Sequence, residues 1–502
     1  MSWSSYELLT GFGLVFLAVY YYFVANFNFW RDQNVKGPKP LPFFGNVIDI
    51  MLGRSSLGDY LTKVYEEFKD EPLIGIFTRR TPVIIVKDPE LIKDVLIKDF
   101  TTFADRGFTI NARVDPLSQH LFSLEPQRWR PLRHKLSPTF TSGKLKEMFY
   151  LLVECADHFE DYLEKQVERD SVIECREITA KFTTDVIGSC AFGLKMNALG
   201  EEESQFRTVG RKVFQINGMK FIKMRIREAA PWLLDMLPGL FYDHEINDFF
   251  IESMRQTMEY RRKNNVKRAD FVDLLMEIRD NPSKVGDIEL DDILITAQAF
   301  VFFIAGFETS STTISNALYE LALNPPVQDK LRNEIRETLK SCDGQLKYET
   351  IKSMSYMDKV FNETLRKYPP VTTIMRQSTE PYTFSGTKVT IPARTRVWIP
   401  AYAIQRDPAI YPDPDTFDPE RFSEENKKSR HSSFFLPFGD GPRNCIGMRF
   451  ANFQSKVGLV KILKNYRVEV CDKTPIPYVN NPKAFLLAPT GGIHLKFTKV
   501  AT

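Results

Sequence analysis

Pro437-Phe438-Gly439-Asp440-Gly441-Pro442-Arg443-Asn444-Cys445-Ile446-Gly447 is the densest run of chemically informative residues in the chain. Gly439 and Gly441 permit a tight turn through positive φ, a region that residues with side chains rarely enter. Cys445 then heads an apolar-periodic segment, Ile446, Phe450, Phe453, Val457 and Val460, whose spacing predicts a helix. A thiol at a helix N-terminus beside Arg443 meets amide dipoles and positive charge, and both favour the thiolate. Thiolate is the form that a metal ion or an electrophile requires.

Upstream, Ile293 to Phe307 is uncharged for 15 residues between Asp291, Asp292 and Glu308. That length suits a buried core helix better than a membrane span, and a helix apolar on every side must run through the middle of a large domain. Its end carries Ala305-Gly306-Phe307-Glu308-Thr309. Gly306 removes side-chain bulk and weakens the helix, so the backbone can open next to a ligand. Taken alone, Thr309 could equally bond back to the preceding turn, and Glu308 could be a solvated helix charge. Glu363-Thr364-Leu365-Arg366 places opposite charges three apart on one helical face, ended by Pro369 and Pro370. An isolated pair of that kind carries little weight.

Together these stretches carry a resemblance. Phe438, Gly441, Arg443, Cys445 and Gly447 follow the spacing Phe-x-x-Gly-x-Arg-x-Cys-x-Gly, which resembles the haem-binding signature of the cytochrome P450 family, the haem-thiolate monooxygenases. The resemblance implies haem b as cofactor, Cys445 as axial iron ligand, Phe438 packed on the porphyrin near the sulfur and Arg443 paired with a propionate. Ala305 to Thr309 then resembles the family's oxygen-binding segment, with Thr309 guiding protons to dioxygen and Glu308 as the adjacent acid. Glu363 and Arg366 resemble its Glu-x-x-Arg motif, and Arg421, in Pro419-Glu420-Arg421-Phe422, completes a structural network with them. Trp129 and Arg133 resemble the Trp-x-x-x-Arg of the helix over the haem, while Arg376 and Arg106 sit where propionate partners are expected. The implied substrate pocket is Phe302, Phe303, Ala305, Phe307, Val371, Ile374 and Leu487, although any one of these phenylalanines could be plain core packing. The wording of Glu363 to Pro370 and of Pro437 to Gly447 is similar to that of the insect microsomal detoxifying branch.

The implied fold is mainly α with small β-sheets (α+β). Local patterning agrees: Leu73 to Phe77 and Pro82 to Val86 read as a hairpin, a second β-rich patch runs from Tyr382 to Ile399, and about Asp88 to Lys340 is mostly helical. Leu8 to Trp30 is uncharged, and at helical rise covers roughly 34 Å, enough for a bilayer core of about 30 Å. Tyr20, Tyr21, Tyr22 and Trp30 suit an interfacial belt, and Arg31, Lys36 and Lys39 follow the stretch with no Lys or Arg before it, which puts the bulk of the protein on the cytosolic side. The expected organisation is a membrane anchor over residues 1–35, a proline-rich hinge over 36–45 containing Pro38, Pro40 and Pro42, and a haem-binding domain over 46–502. The resemblance to the microsomal branch implies the endoplasmic reticulum membrane as the location.

Composition excludes other classes. With 67 Lys plus Arg against 64 Asp plus Glu, a net charge of +3 gives no global basic field for nucleic acid. Six cysteines without a Cys-x-x-Cys pair argue against a disulfide scaffold and a structural zinc site. Gly11-Phe12-Gly13 and Gly439-Asp440-Gly441 lack the later glycine of a dinucleotide fingerprint, with Phe16 and Asn444 in its place, and no Walker loop occurs. The resemblance implies electrons from NADPH through a separate flavin reductase, with cytochrome b5 as a further donor, and that would account for the missing fingerprint. Lys135, Lys144, Lys146, Arg443 and Arg449 form a candidate basic docking face. Membrane lipid, dioxygen and an apolar small molecule complete the expected partners. A cysteine hydrolase with Cys445 as nucleophile and His431 or His494 as base is the rival from another class; it leaves Arg443 and the Gly-x-Glu-Thr helix unexplained.

Overall fold

A computed structural model describes residues 5–200, 203–215, 218–230, 232–268, 270–280 and 291–500. The first four residues of the expected anchor lie outside the described residues. The strands, in chain order, are β1 (Leu73–Thr78), β2 (Thr81–Val86), β3 (Val172–Glu174), β4 (Ile374–Gln377), β5 (Tyr382–Thr383), β6 (Thr390–Ile391), β7 (Arg396–Ile399), β8 (Tyr466–Glu469) and β9 (His494–Lys499). The chain folds into two compact units, each assembled from segments far apart in sequence.

Met1–Gly107, Val371–Tyr411 and His431–Arg443 make up the first unit. Its sheet has the order β1-β2-β7-β4, with β2 parallel to β7 and the other neighbours antiparallel. The β1-β2 hairpin turns at Arg79, whose φ is 58°. Period-two alternation sends Leu73, Phe77, Ile84 and Val86 into one core cluster and Ile74, Ile76, Val83 and Ile85 into another, which explains why both runs read as almost continuously apolar. Leu61 and Val64 of helix α2 (Leu57–Glu67) cover the second face, and Ser56 caps that helix by accepting from Asp59 N.

Helix α1 (Ser5–Val24) precedes that sheet in the same unit. Leu9, Phe12, Leu14 and Leu17 are exposed on it, while its last turns meet Phe43 through Phe16, Tyr20 and Phe23. Arg80 sits over the Tyr22 ring at 3.8 Å. Trp30 departs from the interfacial-belt expectation: it is 3% exposed, and its Nε1 donates to Ile76 O at 3.0 Å. An indole that finds both apolar cover and an acceptor inside the protein belongs to the core. The proline-rich segment is docked on the same strand, because Gly75 N donates to Lys36 O at 2.8 Å and Asn46 Nδ2 to Pro38 O at 3.0 Å.

Phe108–Pro370, Pro412–Arg430 and Asn444–Thr502 make up the second unit. Its helices include α3 (Pro126–Leu136), α4 (Ser142–Arg169), α5 (Cys175–Ile187), α6 (Gln205–Phe214), α7 (His244–Lys263), α8 (Asp292–Leu323), α9 (Ser355–Lys367) and α10 (Met448–Asn465). The central one is α8, 32 residues long and started by Asp291, whose carboxylate accepts from Leu294 N. It contains the uncharged run expected to be a core helix, and it is buried on most sides by α5, α7, α9 and α10. Hydroxyls on α5 bond directly to its backbone: Thr183 donates to Phe307 O at 2.9 Å and Thr179 to Ser311 O at 3.2 Å. A second sheet, β3-β9-β8, is antiparallel throughout.

Candidate haem-thiolate site

Gly439 and Gly441 have φ of 67° and 70°, the left-handed conformation that two glycines in the loop permit. Space demands glycine as well at Gly441, where a Cβ would lie 1.8 Å from Leu96 O. Phe438 is half-buried. Arg443 is 2% exposed, and its carbonyl accepts from Arg106 Nη2 at 2.9 Å. These residues all belong to the first unit, as does Arg376 on β4.

In the second unit, Asn444 is gripped by Arg133 of α3: Nη1 donates to Asn444 O at 3.0 Å and Nη2 to Asn444 Oδ1 at 2.9 Å. Burial pushes the Arg133 guanidinium below its ordinary pKa, and negative charge on neighbouring Cys445 counters that shift. Trp129 is buried one turn earlier on the same helix. Of the six cysteines Cys445 alone is exposed, whereas Cys155, Cys175 and Cys190 are buried. The helix after it, α10, begins at Met448 with Gly447 as its N-cap, so Cys445 stands just ahead of the helix rather than in its first turn. Arg106 and Arg133, expected to meet propionates, thus donate to the carbonyls of the consecutive residues Arg443 and Asn444.

Two features of this chain fit an iron porphyrin with anionic side arms. Cys445 offers an exposed thiol, the ligand atom of haem-thiolate proteins. Arg376 is buried without any carboxylate pairing with it among the described residues: Nη1 donates to Met375 O at 2.9 Å, Nε has no acceptor, and burial pushes its pKa down to about 10. A buried guanidinium in that position is suited to an anion such as a propionate.

On α8, Ala305 is exposed and Thr309 half-exposed, one turn apart on a single face. Thr309 Oγ1 donates to Ala305 O at 2.7 Å. Glu308 points elsewhere and is ion-paired with Arg176 of α5. Gly306 serves packing: the helix runs unbroken through it, and a Cβ there would lie 2.2 Å from Ile187 Cδ1. The glycine is where α5 meets α8, in place of the expected backbone opening.

The aromatic residues of the expected pocket are dispersed by helical geometry. Phe303 is packed among Phe192, Phe206, Phe250 and Phe307, and Phe307 meets Phe214; both are fully buried. Phe302 stacks on Phe140 at 5.0 Å and meets Phe271 edge-on at 4.1 Å. At about 100° per residue, Phe303 and Phe307 fall on the side of α8 opposite Ala305, so one pocket cannot take all of them. That wheel was readable in the sequence. Val371, 41% exposed, and Ile374 lie in the first unit; Leu487, buried, donates its backbone N to Pro370 O in the second.

Away from the cysteine loop, Glu363 and Arg366 are completely buried and doubly bonded at 2.7 and 2.8 Å, with Arg421 Nε 3.5 Å from the same carboxylate. Arg366 Nη2 also donates to Pro414 O, and Asp418 N to Glu363 Oε1. The basic face is smaller than expected, since Arg443 is buried and Lys144 and Lys146 pair with Glu147 and Glu349. For the hydrolase alternative, both ring nitrogens of His431 are engaged, Nε2 with Glu90 at 3.1 Å and Nδ1 with Ser433 N at 3.2 Å. Sequence reasoning missed Arg176 and Asn444 as partners, and no linear signal marks either.

A family model described as Cytochrome P450 matches residues 35–497. The chain is 41% identical to cytochrome P450 6a2 of Drosophila melanogaster over 494 residues, covering 96% of this chain and 97% of that protein. It is 40% identical to cytochrome P450 6k1 of Blattella germanica over 501 residues, 96% and 95% of the two chains. Cytochrome P450 6A1 of Musca domestica is 39% identical over 496 residues, 97% of each.

Proposed function

The chain belongs to the cytochrome P450 family and is a haem-dependent monooxygenase, and within that activity we propose a membrane-anchored enzyme that inserts one oxygen atom into apolar organic substrates, with xenobiotics, plant toxins and insecticides foremost and endogenous lipids or hormones as the other class. The second oxygen atom leaves as water, with electrons from NADPH delivered by a flavin reductase and, as an auxiliary, cytochrome b5. The exposed apolar helix α1 supports anchorage in the endoplasmic reticulum membrane. The detoxifying role draws on the insect relatives and on an α8 face that presents Ala305 without a charged side chain.

The observation that carries the reading is Cys445, an exposed thiol in a loop whose carbonyls at Arg443 and Asn444 accept from Arg106 and Arg133. The chemistry that haem supplies when bound is reductive activation of dioxygen at iron. Cys445 Sγ would furnish the thiolate, Arg376 and Arg443 would face the propionates, and Phe438 would shield the sulfur from water. Ala305 leaves room for an apolar substrate. Thr309 Oγ1, with its own proton donated to Ala305 O, keeps lone pairs to accept a hydrogen bond from a water and so hold that water's remaining proton in place for delivery. Glu308 is held by Arg176 as the reserve of negative charge beside it.

Reduction of the purified holoenzyme under carbon monoxide tests the assignment. A thiolate-type red shift of the Soret band is expected, and it is lost in Cys445→Ala. No red shift, or one that survives the substitution, overturns it. Thr309→Ala is expected to raise the share of NADPH oxidised without product.

A further inference from the structure

Phe43 has a φ of 69°, a left-handed conformation that is costly for a residue with a side chain. The turn around it is closed by two bonds, Leu41 N to Gly45 O and Gly45 N to Leu41 O, both at 2.8 Å. It is also fastened to the β1-β2 hairpin, since Arg79 N donates to Phe44 O at 3.2 Å and Asn46 N to Phe77 O at 2.8 Å. This conformation sets the Phe43 ring against α1, with ring centroids 6.4 Å from Phe16, 6.2 Å from Tyr20 and 5.2 Å from Phe23. Leu41 and Phe44 of the same turn are left exposed.

The chain leaves no slack between α1 and this hairpin. Trp30 lies so close on β1 that a Cβ at Gly75 would be 2.3 Å from its Cγ, and a Cβ at Gly37 would be 1.9 Å from Gly75 O. Depth in a bilayer then follows from length. With 20 residues, α1 is about 30 Å long, the thickness of a hydrocarbon core, so the headgroup layer begins at its last turn, beside Tyr22 and Val24. Phe16 stands eight residues before Val24, about 12 Å along the axis, and the Leu41–Gly45 turn seated on it therefore reaches acyl-chain depth. Arg79 and Arg80 stand at the end of the helix, with Arg80 Cζ 3.8 Å from the centre of the Tyr22 ring and Arg79 Cζ 5.4 Å from that of Phe23. Arg80 pairs with no carboxylate among the described residues.

We propose that these two turns form a binding site for one anionic glycerophospholipid of the leaflet on the globule's side. An acyl chain lies against Leu41 and Phe44, and the phosphate accepts from the guanidinium groups of Arg79 and Arg80. The Tyr22 and Phe23 rings orient those groups through their faces, and a pair formed in the headgroup layer is stronger than one in bulk water. An acidic headgroup is preferred over a choline headgroup, whose own positive charge opposes the two arginines. Bound lipid holds the hairpin, and with it the first unit, at a fixed depth on the membrane. The proposal rests on the anchorage by α1 stated under the proposed function.

The test uses the full-length holoenzyme in nanodiscs of phosphatidylcholine with a minor share of phosphatidylserine. Native mass spectrometry of protein released from the discs is expected to show one phosphatidylserine retained in several-fold preference over phosphatidylcholine. In the double variant Arg79→Gln/Arg80→Gln the preference is expected to vanish with haem content unchanged, and Arg79→Lys/Arg80→Lys is expected to keep part of it. No preference in the natural chain, or an undiminished one in the double glutamine variant, overturns the proposal. In Phe44→Trp the added indole emission is expected to be quenched by lipids brominated on their acyl chains, and full emission overturns the acyl contact. Alkaline carbonate extraction separates the two readings. Protein released from the membrane overturns the anchorage and the site with it, whereas protein that stays in the membrane without a lipid preference overturns the site alone.

Discussion

Arg133 donates to both the main-chain and the side-chain oxygen of Asn444, at 3.0 and 2.9 Å, one residue before Cys445. Two bonds from one rigid guanidinium fix the peptide that precedes the thiol. Arg133→Ala is therefore expected to weaken haem retention roughly ten- to a hundredfold, since losing charge-assisted bonds costs about 1.5–3 kcal/mol. Asn444→Ala removes only one acceptor and is expected to cost less. Haem per polypeptide, measured on the purified proteins, checks both.

Arg376 carries a buried positive charge with no protein carboxylate beside it among the described residues. Arg376→Met is expected to act in opposite directions on the two forms of the protein. It should lower haem content, by removing a propionate partner, and raise the melting temperature of haem-stripped protein, by removing an uncompensated charge. Arg376→Lys keeps the charge and should retain more haem than the methionine variant.

Gly306 meets Ile187 so closely that a Cβ there would lie 2.2 Å from Ile187 Cδ1, and the isoleucine side chain must move to admit a methyl group. Gly306→Ala is expected to destabilise the fold by about 1–3 kcal/mol, the usual cost of overpacking. Ile187→Ala in the same chain should recover most of the loss, measured by thermal unfolding. Failure of the second substitution to compensate would return Gly306 to a backbone role.

The cysteines should separate in alkylation. Burial pushes the Cys155 thiol up to about 11 and raises Cys175 and Cys190 as well. Only thiolate reacts, so at pH 8 about one Cys155 in a thousand is reactive, and its labelling should rise with pH toward that value. In haem-stripped protein iodoacetamide should label Cys445 first, and haem should protect it. Peptide mass spectrometry reads the order.

The cysteine loop, the buried α8 and the hairpin were legible because each depends on residues close in the chain: glycines set a turn, apolar spacing sets a helix or strand. Trp30 shows the limit. A run of uncharged residues cannot say where a membrane segment stops and a core begins, and only the Ile76 carbonyl makes that tryptophan part of the globule.

The glycine turn ahead of Cys445, the Glu363–Arg366 pairing and the mainly helical class follow from the sequence by itself, since spacing along a chain decides which side chains share a turn or a helical face. Which face of α8 meets open space was decided by packing: α5 takes the side of Gly306, the aromatic cluster takes Phe303 and Phe307, and Ala305 and Thr309 are left. The partners of Glu308 and Asn444 were likewise set by tertiary structure, because Arg176 and Arg133 lie 132 and 311 residues from them and no local rule connects such distances.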